Sequence, residues 1–140
     1  MRTDELALDY LSRAEMTLEE AKNAIKNEVY SLAIRRSQET VEFSLKAALR
    51  YLAIEYPRDH DVGDILLRVK ETRQLPIWFE ERIEFMASVS SDLARKRGPA
   101  FYGDERTLTP AYQLFTKEEG LRALREAEEL FKICKRLIKQ

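Results

Sequence analysis

The chain has 140 residues, 44% of them hydrophobic and 35% charged, with only four glycines and four prolines. That profile suits a single helical domain, 1–140, large enough to bury a core without metal or disulfide, and argues against a β-rich or disordered chain. The net charge of −1 leaves no global pull toward nucleic acid or membrane, so any such affinity must come from a local patch.

The spacing predicts a first helix from about Thr3 to Asn27, with Thr3 as N-cap and Asp4 and Glu5 near its positive end. Ala7, Leu11, Ala14, Leu18, Ala21 and Ile25 form one apolar stripe. Asn27-Glu28 reads as a short break, which makes the next helix an antiparallel neighbour.

That second helix starts near Tyr30 and is expected to run to about Tyr56, where Pro57 ends it. Apolar residues lie on more than one side of it: Ala33, Val41, Leu45, Ala48 and Leu52 on one flank, Ile34 and Leu49 beside them. It should therefore pack against several neighbours. Glu42 and Lys46 are spaced as an ion pair in its middle. Either they form a solvated pair, or the helix faces a shared groove or a second subunit.

Arg58 to Asp61 forms a polar loop holding the only histidine, His60. Asp61 or Asp59 can cap a short helix carrying Val62, Ile65, Leu66 and Val69. His60 then either fixes the turn through a backbone group or a carboxylate, or joins an anion-binding edge. After a turn over Thr72 to Pro76, a helix is expected from Ile77 to about Lys96, with Phe79, Ile83, Met86, Ser90 and Leu93 on one stripe and weaker burial at 88–92. Arg95, Lys96 and Arg97 should end it, favoured by the helix dipole, with Gly98 and Pro99 as the stop. Residues 98–115 read as a loop of functional or Ω type. Thr116 to Glu119 reads as a capping box opening a last helix to about Ile138, in which Gly120 is a slight weakness. Its stripe is Leu124, Ala127, Leu130 or Phe131, Cys134, and Leu137 or Ile138. The fold class is all-α, an up-and-down bundle of four to five helices.

Cys134 is the only cysteine, so an internal disulfide is impossible, and no Cys/His cluster suggests a metal. No cofactor is indicated. With no apolar run near the length of a membrane span and no signal peptide, the expected location is the cytoplasm. Abundant Arg, Lys and Glu beside few Asn, Gln and Cys would suit a thermophile. P-loop, GxGxxG, HExxH and CxxC patterns are absent, and no nucleophile elbow supports a Ser-His-Asp triad. One constellation stands above background: Arg95-Lys96-Arg97 followed by Phe101-Tyr102. Guanidinium can hold phosphate in bidentate fashion, and an aromatic ring can stack on a base. The same residues would equally stabilise a helix end and pin a loop.

Taken together, Ala33-x-x-Arg36-x-Gln38-x-x-x-Glu42-x-x-x-Lys46-Ala47-x-Leu49, then Pro57-x-x-His60-Asp61-Val62-x-x-Leu66, then Arg97-x-x-x-x-Tyr102-Gly103 and the Ala-rich last helix resemble the HEPN domain, named for higher eukaryotes and prokaryotes nucleotide-binding. The resemblance spans nearly the whole chain, and its specificity lies in the order and spacing of these motifs. It implies a small prokaryotic HEPN protein, commonly a homodimer, often encoded beside a minimal nucleotidyltransferase as the toxin of a toxin–antitoxin pair. Active relatives are metal-independent RNases with an Arg followed after four to six residues by His at the dimer interface. There the 2′-hydroxyl of RNA attacks the adjacent phosphate. Arg97 matches the arginine, but Tyr102 stands where the histidine belongs. A phenol, with a reference pKa of about 10, is a poor proton acceptor. His60 lies in an earlier loop and reaches Arg97 only if the fold brings them together. In some pairs the transferase adenylylates a Tyr beside the motif, and Tyr102 is the candidate for that.

The resemblance thus implies phosphate or nucleotide binding by Arg95, Lys96, Arg97, Arg36, Lys46 and Glu42, and, where catalysis occurs, roles for Arg97, Tyr102 and His60. The leading expectation is a dimeric HEPN protein that binds a nucleotide or RNA phosphate and works with a nucleotidyltransferase. The alternatives are an endoribonuclease with Tyr in place of His, and a non-catalytic interaction module.

Overall fold

A computed structural model describes residues 2–139, with side chains from residue 4 onward. The chain forms α1 (Arg2–Lys26), α2 (Tyr30–Tyr51), α3 (Gly63–Thr72), the single turn α4 (Ile77–Glu80), α5 (Ile83–Tyr102) and α6 (Lys117–Ile138). Among the described residues there is no β-strand, and an isolated bridge pairs Asp104 with Thr109. The architecture is the expected all-α bundle. The expectation of Thr3 as N-cap falls on a side chain outside those described, and α1 already begins at Arg2.

α2 is the central element, packed against α1, α5 and α6. Its apolar residues on several sides are the cause: Ala33, Ile34, Val41, Leu45, Ala47, Ala48 and Leu49 are all buried. The larger core joins α2, α3, α5 and α6, while Leu11, Ala14, Leu18, Ala47 and Phe131 form a smaller one between α1, α2 and α6. Phe79, Ile83, Met86 and Leu93 are fully buried as their stripe predicts, each contributing roughly 1.5–3 kcal/mol relative to exposure. The capping box is present: Thr116 Oγ1 accepts from the Glu119 amide at 3.1 Å, and the Glu119 carboxylate accepts from the Thr116 amide at 2.9 Å. Gly120 follows because a Cβ there would meet Tyr30 Cβ at 3.1 Å, so its absence lets α6 close onto α2.

Three boundaries and one burial differ from the sequence expectations. α2 ends at Tyr51, five residues before Tyr56. Ala53 adopts φ +59°, its amide donates to Arg50 O, and the Ile54 amide donates to Leu49 O. That is a Schellman stop built on alanine instead of glycine, invisible to a rule that looks for Gly or Pro. The same motif closes α1, with Glu28 at φ +61°. The helix expected over 77–96 is broken at Glu81-Arg82. Val89 and Ser90, expected to be poorly buried, are buried.

The fourth difference matters most: α5 does not stop at Gly98-Pro99 but continues to Tyr102. A proline inside a helix removes one hydrogen bond and crowds the preceding turn, at about 3 kcal/mol. Contacts beyond it offset that loss. Ala100 is buried, Arg35 donates to Arg97 O at 3.1 Å, and the same guanidinium lies 4.5 Å from the Phe101 ring centre. Gly98 carries no Cβ to clash with the proline ring. The true stop is Gly103, at φ +74°. Residues 104–116 then form a tight hairpin, closed by reciprocal Asp104–Thr109 backbone bonds, and a 3-10 turn over Ala111–Gln113.

Candidate functional site: a hydrogen-bonded chain from Arg97 to His60

Three residues of α2, Gln38, Glu42 and Lys46, fall at successive spacings of four and so share one flank of the helix. Gln38 is 2% exposed, a polar side chain in the apolar interior, and it is doubly used. Its Oε1 accepts from Arg97 Nη1 at 2.5 Å, and its Nε2 donates to Glu42 Oε1 at 3.0 Å. Glu42 also accepts from Lys46 Nζ at 2.8 Å and lies 2.8 Å from His60 Nδ1. Arg97 and His60 are therefore joined through Gln38 and Glu42.

The electrostatics give this chain a direction. Burial pushes the Glu42 carboxyl up, but hydrogen bonds from Lys46, Gln38 and His60, and the Lys46 charge, outweigh it and hold the pKa below the ordinary carboxylate value. An ionised carboxylate only accepts, so His60 Nδ1 donates and Nε2 is left for another partner. The imidazole is about half exposed, at 53%.

The loop that presents His60 is tied down from both sides. Asp59 Oδ1 accepts from the His60 amide at 2.7 Å. Asp61 Oδ1 accepts from the Gly63 amide at 2.9 Å and from Ser90 Oγ at 2.9 Å. Ser90 Oγ in turn accepts from the Val62 amide at 3.2 Å. The N-cap of α3 is Val62, not Asp61 or Asp59 as expected; Asp61, one residue earlier, serves the helix start through the Gly63 amide, and Ser90 of α5 fixes it there.

The remaining candidates are divided. Arg36 is engaged by Glu39 at 2.7 Å and lies 3.6 Å from Glu20. Arg35, which sequence reasoning passed over, is the arginine of α2 beside Arg97. Its pKa is lowered by burial first and then by the Arg97 charge, with Glu39 and Tyr102 acting in the opposite sense. Arg95 and Lys96 share Asp92, at 3.1 and 3.0 Å. Two residues along a helix is a rotation of about 200°, so Arg95 and Arg97 face opposite flanks of α5. Tyr102 is 65% exposed and packs edge-on against Phe101, with ring centres 4.9 Å apart. Gln38 was also missed as a site residue, although it stands in the motif that carries the resemblance. Its signal was an amide four residues before Glu42, on the flank that also carries Lys46.

Among the described residues no helix is long and apolar enough to cross a membrane. A search of curated proteins returns no match. Two solved structures share the fold. The archaeal HEPN homologue ST0689 is 23% identical, with a TM-score of 0.69 over 94% of this chain and 97% of its own. TT1696 from Thermus thermophilus is 22% identical, with a TM-score of 0.70 over 93% of this chain and 96% of its own. The family profile described as HEPN domain matches residues 7–137, nearly the whole chain. The chain belongs to the HEPN domain family.

Proposed function

We propose that this protein is the HEPN component of a pair with a minimal nucleotidyltransferase, acting as a homodimer that holds an RNA or nucleotide phosphate at Arg97. What carries the reading is the hydrogen-bonded chain Arg97–Gln38–Glu42–His60. A guanidinium has five donors, and Gln38 takes one, which leaves the rest for phosphate oxygens. Arg35 and Lys46 add positive charge nearby, while Glu42 orients groups and is not itself a phosphate ligand. The exposed aromatic pair Phe101–Tyr102 at the end of α5 supports a second copy covering that edge.

The test is equilibrium binding of labelled single-stranded RNA and of AMP to wild type and Arg97→Ala, with dimer mass and helicity checked for both. A loss of affinity of at least tenfold is expected, and unchanged affinity in a folded protein overturns the assignment. Co-purification of the tagged chain with a minimal nucleotidyltransferase from its own cells tests the pairing, and its absence counts against it.

A second reading has its own observation. His60 is exposed, and its Nδ1 is held by a carboxylate, the arrangement that readies Nε2 for proton exchange. In that reading the protein is a metal-independent endoribonuclease. His60 takes the proton of the 2′-hydroxyl as its oxygen attacks phosphorus, the P–O5′ bond breaks to leave a 2′,3′-cyclic phosphate, and the 5′-oxygen leaves with a proton from solvent, to which His60 returns its own. Cleavage of a mixed RNA pool in EDTA, lost in both His60→Ala and Arg97→Ala, is the expected result. Cleavage that persists in His60→Ala rules this role out.

A further inference from the structure

α1 and α6 lie side by side and run antiparallel. Lys22 of α1 meets Glu128 of α6 at 3.0 Å, and further along Leu8, Leu11 and Glu15 share a groove of about 310 Å³ with Lys135 and Lys139. The outward surfaces of the two helices carry opposite charge. Lys132, Lys135, Arg136 and Lys139 are all exposed and fall within an arc of about 100° on α6. Asp4, Glu5 and Glu15 are exposed on α1, within an arc of about 120° that also presents the exposed Leu8 and Met16. None of these seven charged residues forms an ion pair with another described residue, although Glu15, Lys135 and Lys139 line the same groove.

We propose that this face is a further self-association surface, on which the acidic strip of α1 meets the basic strip of α6 in another copy of the chain, and the reverse. A two-fold contact requires a surface complementary to itself, and two neighbouring strips of opposite charge meet that requirement. A two-fold axis running along the groove sets each α1 over the other copy's α6. The rotation keeps every residue at its own height along the groove. Glu15, level with Lys135 in its own chain, therefore comes to face the partner's Lys135. Leu8 and Met16 supply apolar area to the same contact.

Helix dipoles account for part of this pattern, since acids suit the first turn of α1 and cations the last turn of α6. That effect fades within one turn. Glu15 lies more than three turns into α1, and Lys132 precedes the end of α6 by nearly two. Nor does a dipole give Leu8 and Met16 a reason to face water. The stretch of α1 from Asp4 to Met16 is about 20 Å long, and two helices side by side are about 20 Å wide. Pairing two such faces buries on the order of 800 Å² in all, the size of a weak, reversible contact. The face shares no residue with the Arg97–His60 chain or with the Phe101–Tyr102 edge, so it stands apart from the function proposed above. Where both surfaces are covered, pairs of chains join into larger assemblies.

The test is sedimentation equilibrium of the full chain at about 50 mM and about 500 mM salt, a range over which screening weakens exposed ion pairs. Two double variants accompany wild type: Glu5→Lys with Glu15→Lys, and Lys135→Glu with Lys139→Glu. Wild type should associate at low salt and lose mass at high salt. Either variant alone sets like charges face to face and should associate at least about tenfold more weakly. Mixed in equal amounts, the two should associate again, because the reversed α1 of one then meets the reversed α6 of the other, and the two unaltered strips meet likewise. Circular dichroism checks that each variant keeps its helices. The milder Glu15→Gln and Lys135→Gln retain helix-forming side chains and should each weaken association about threefold. The proposal is overturned by a wild-type mass that salt does not change, by reversal variants that keep the wild-type mass, or by a mixture that does not recover it. Phe101→Ser with Tyr102→Ser separates the two surfaces and should retain the salt-dependent association. Its complete loss there would mean that the α5 edge holds the copies together and this face holds none.

Discussion

Glu42 and His60 meet at 2.8 Å although 18 residues separate them in the chain. The contact fastens the loop after α2 to the middle of that helix and sets which imidazole nitrogen faces outward. Because Glu42 also takes Lys46 and Gln38, it is the node on which the site's geometry rests.

That node has a pH signature. The Glu42 pKa is depressed in the folded chain, so its ionised form favours folding. The contribution is complete well above the unfolded value of about 4.3, falls as pH drops below it, and is gone once the folded carboxyl protonates. Glu42→Gln should therefore be less stable than wild type near neutrality, with the difference narrowing as pH falls through that range. Urea unfolding at stepped pH measures this, and a pH-independent difference would contradict it.

Gln38 should behave as a structural clamp for Arg97. Gln38→Leu keeps the volume but removes both hydrogen bonds and leaves a half-buried guanidinium without its acceptor. A loss of roughly 2 kcal/mol in stability is expected, with RNA affinity falling alongside it. Full stability with full affinity would show that Arg97 is positioned by something else.

Two backbone positions make opposite predictions about glycine. Ala53, at φ +59°, carries a Cβ in a conformation that costs such residues roughly 1–2 kcal/mol. Ala53→Gly should raise stability by about 0.5–1 kcal/mol after the greater freedom of glycine in the unfolded chain is allowed for. Gly103→Ala should do the reverse. There φ is +74°, and a Cβ would lie 2.4 Å from Thr109 O, so a loss of roughly 2 kcal/mol or more is expected. Thermal melts of the two variants, moving in opposite directions, are the check.

Asp61 links the His60 loop to α5 through Ser90. Asp61→Ala strips an acceptor from the Gly63 amide and should cost about 1 kcal/mol, as loss of a helix cap does. Hydrogen exchange should quicken first at Val62 and Gly63. Unchanged exchange there would mean that Ser90 alone holds the loop.

The periodic part of this fold was legible in the order of residues. The stripe from Ala7 to Ala21, the buried series Phe79, Ile83, Met86 and Leu93, and the capping box at Thr116 are all local patterns whose physics acts within one helix. The break at Asn27-Glu28 was legible for the same reason. Packing settled the rest, because it turned on energies supplied from elsewhere in the chain. Pro99 reads as a stop until Arg35, Phe101 and the burial of Ala100 are seen to sustain the helix past it. Alanine at position 53 ends α2 in a conformation that no composition rule assigns to it. Above all, sequence named Arg36, whereas Arg35 is the arginine of α2 that donates to the Arg97 carbonyl, and sequence grouped Arg95 and Lys96 with Arg97 although Arg95 and Arg97 lie on opposite flanks of α5. Neighbours in sequence point to different sides of a helix, and only the packing of α5 against α2 determines which side meets Gln38.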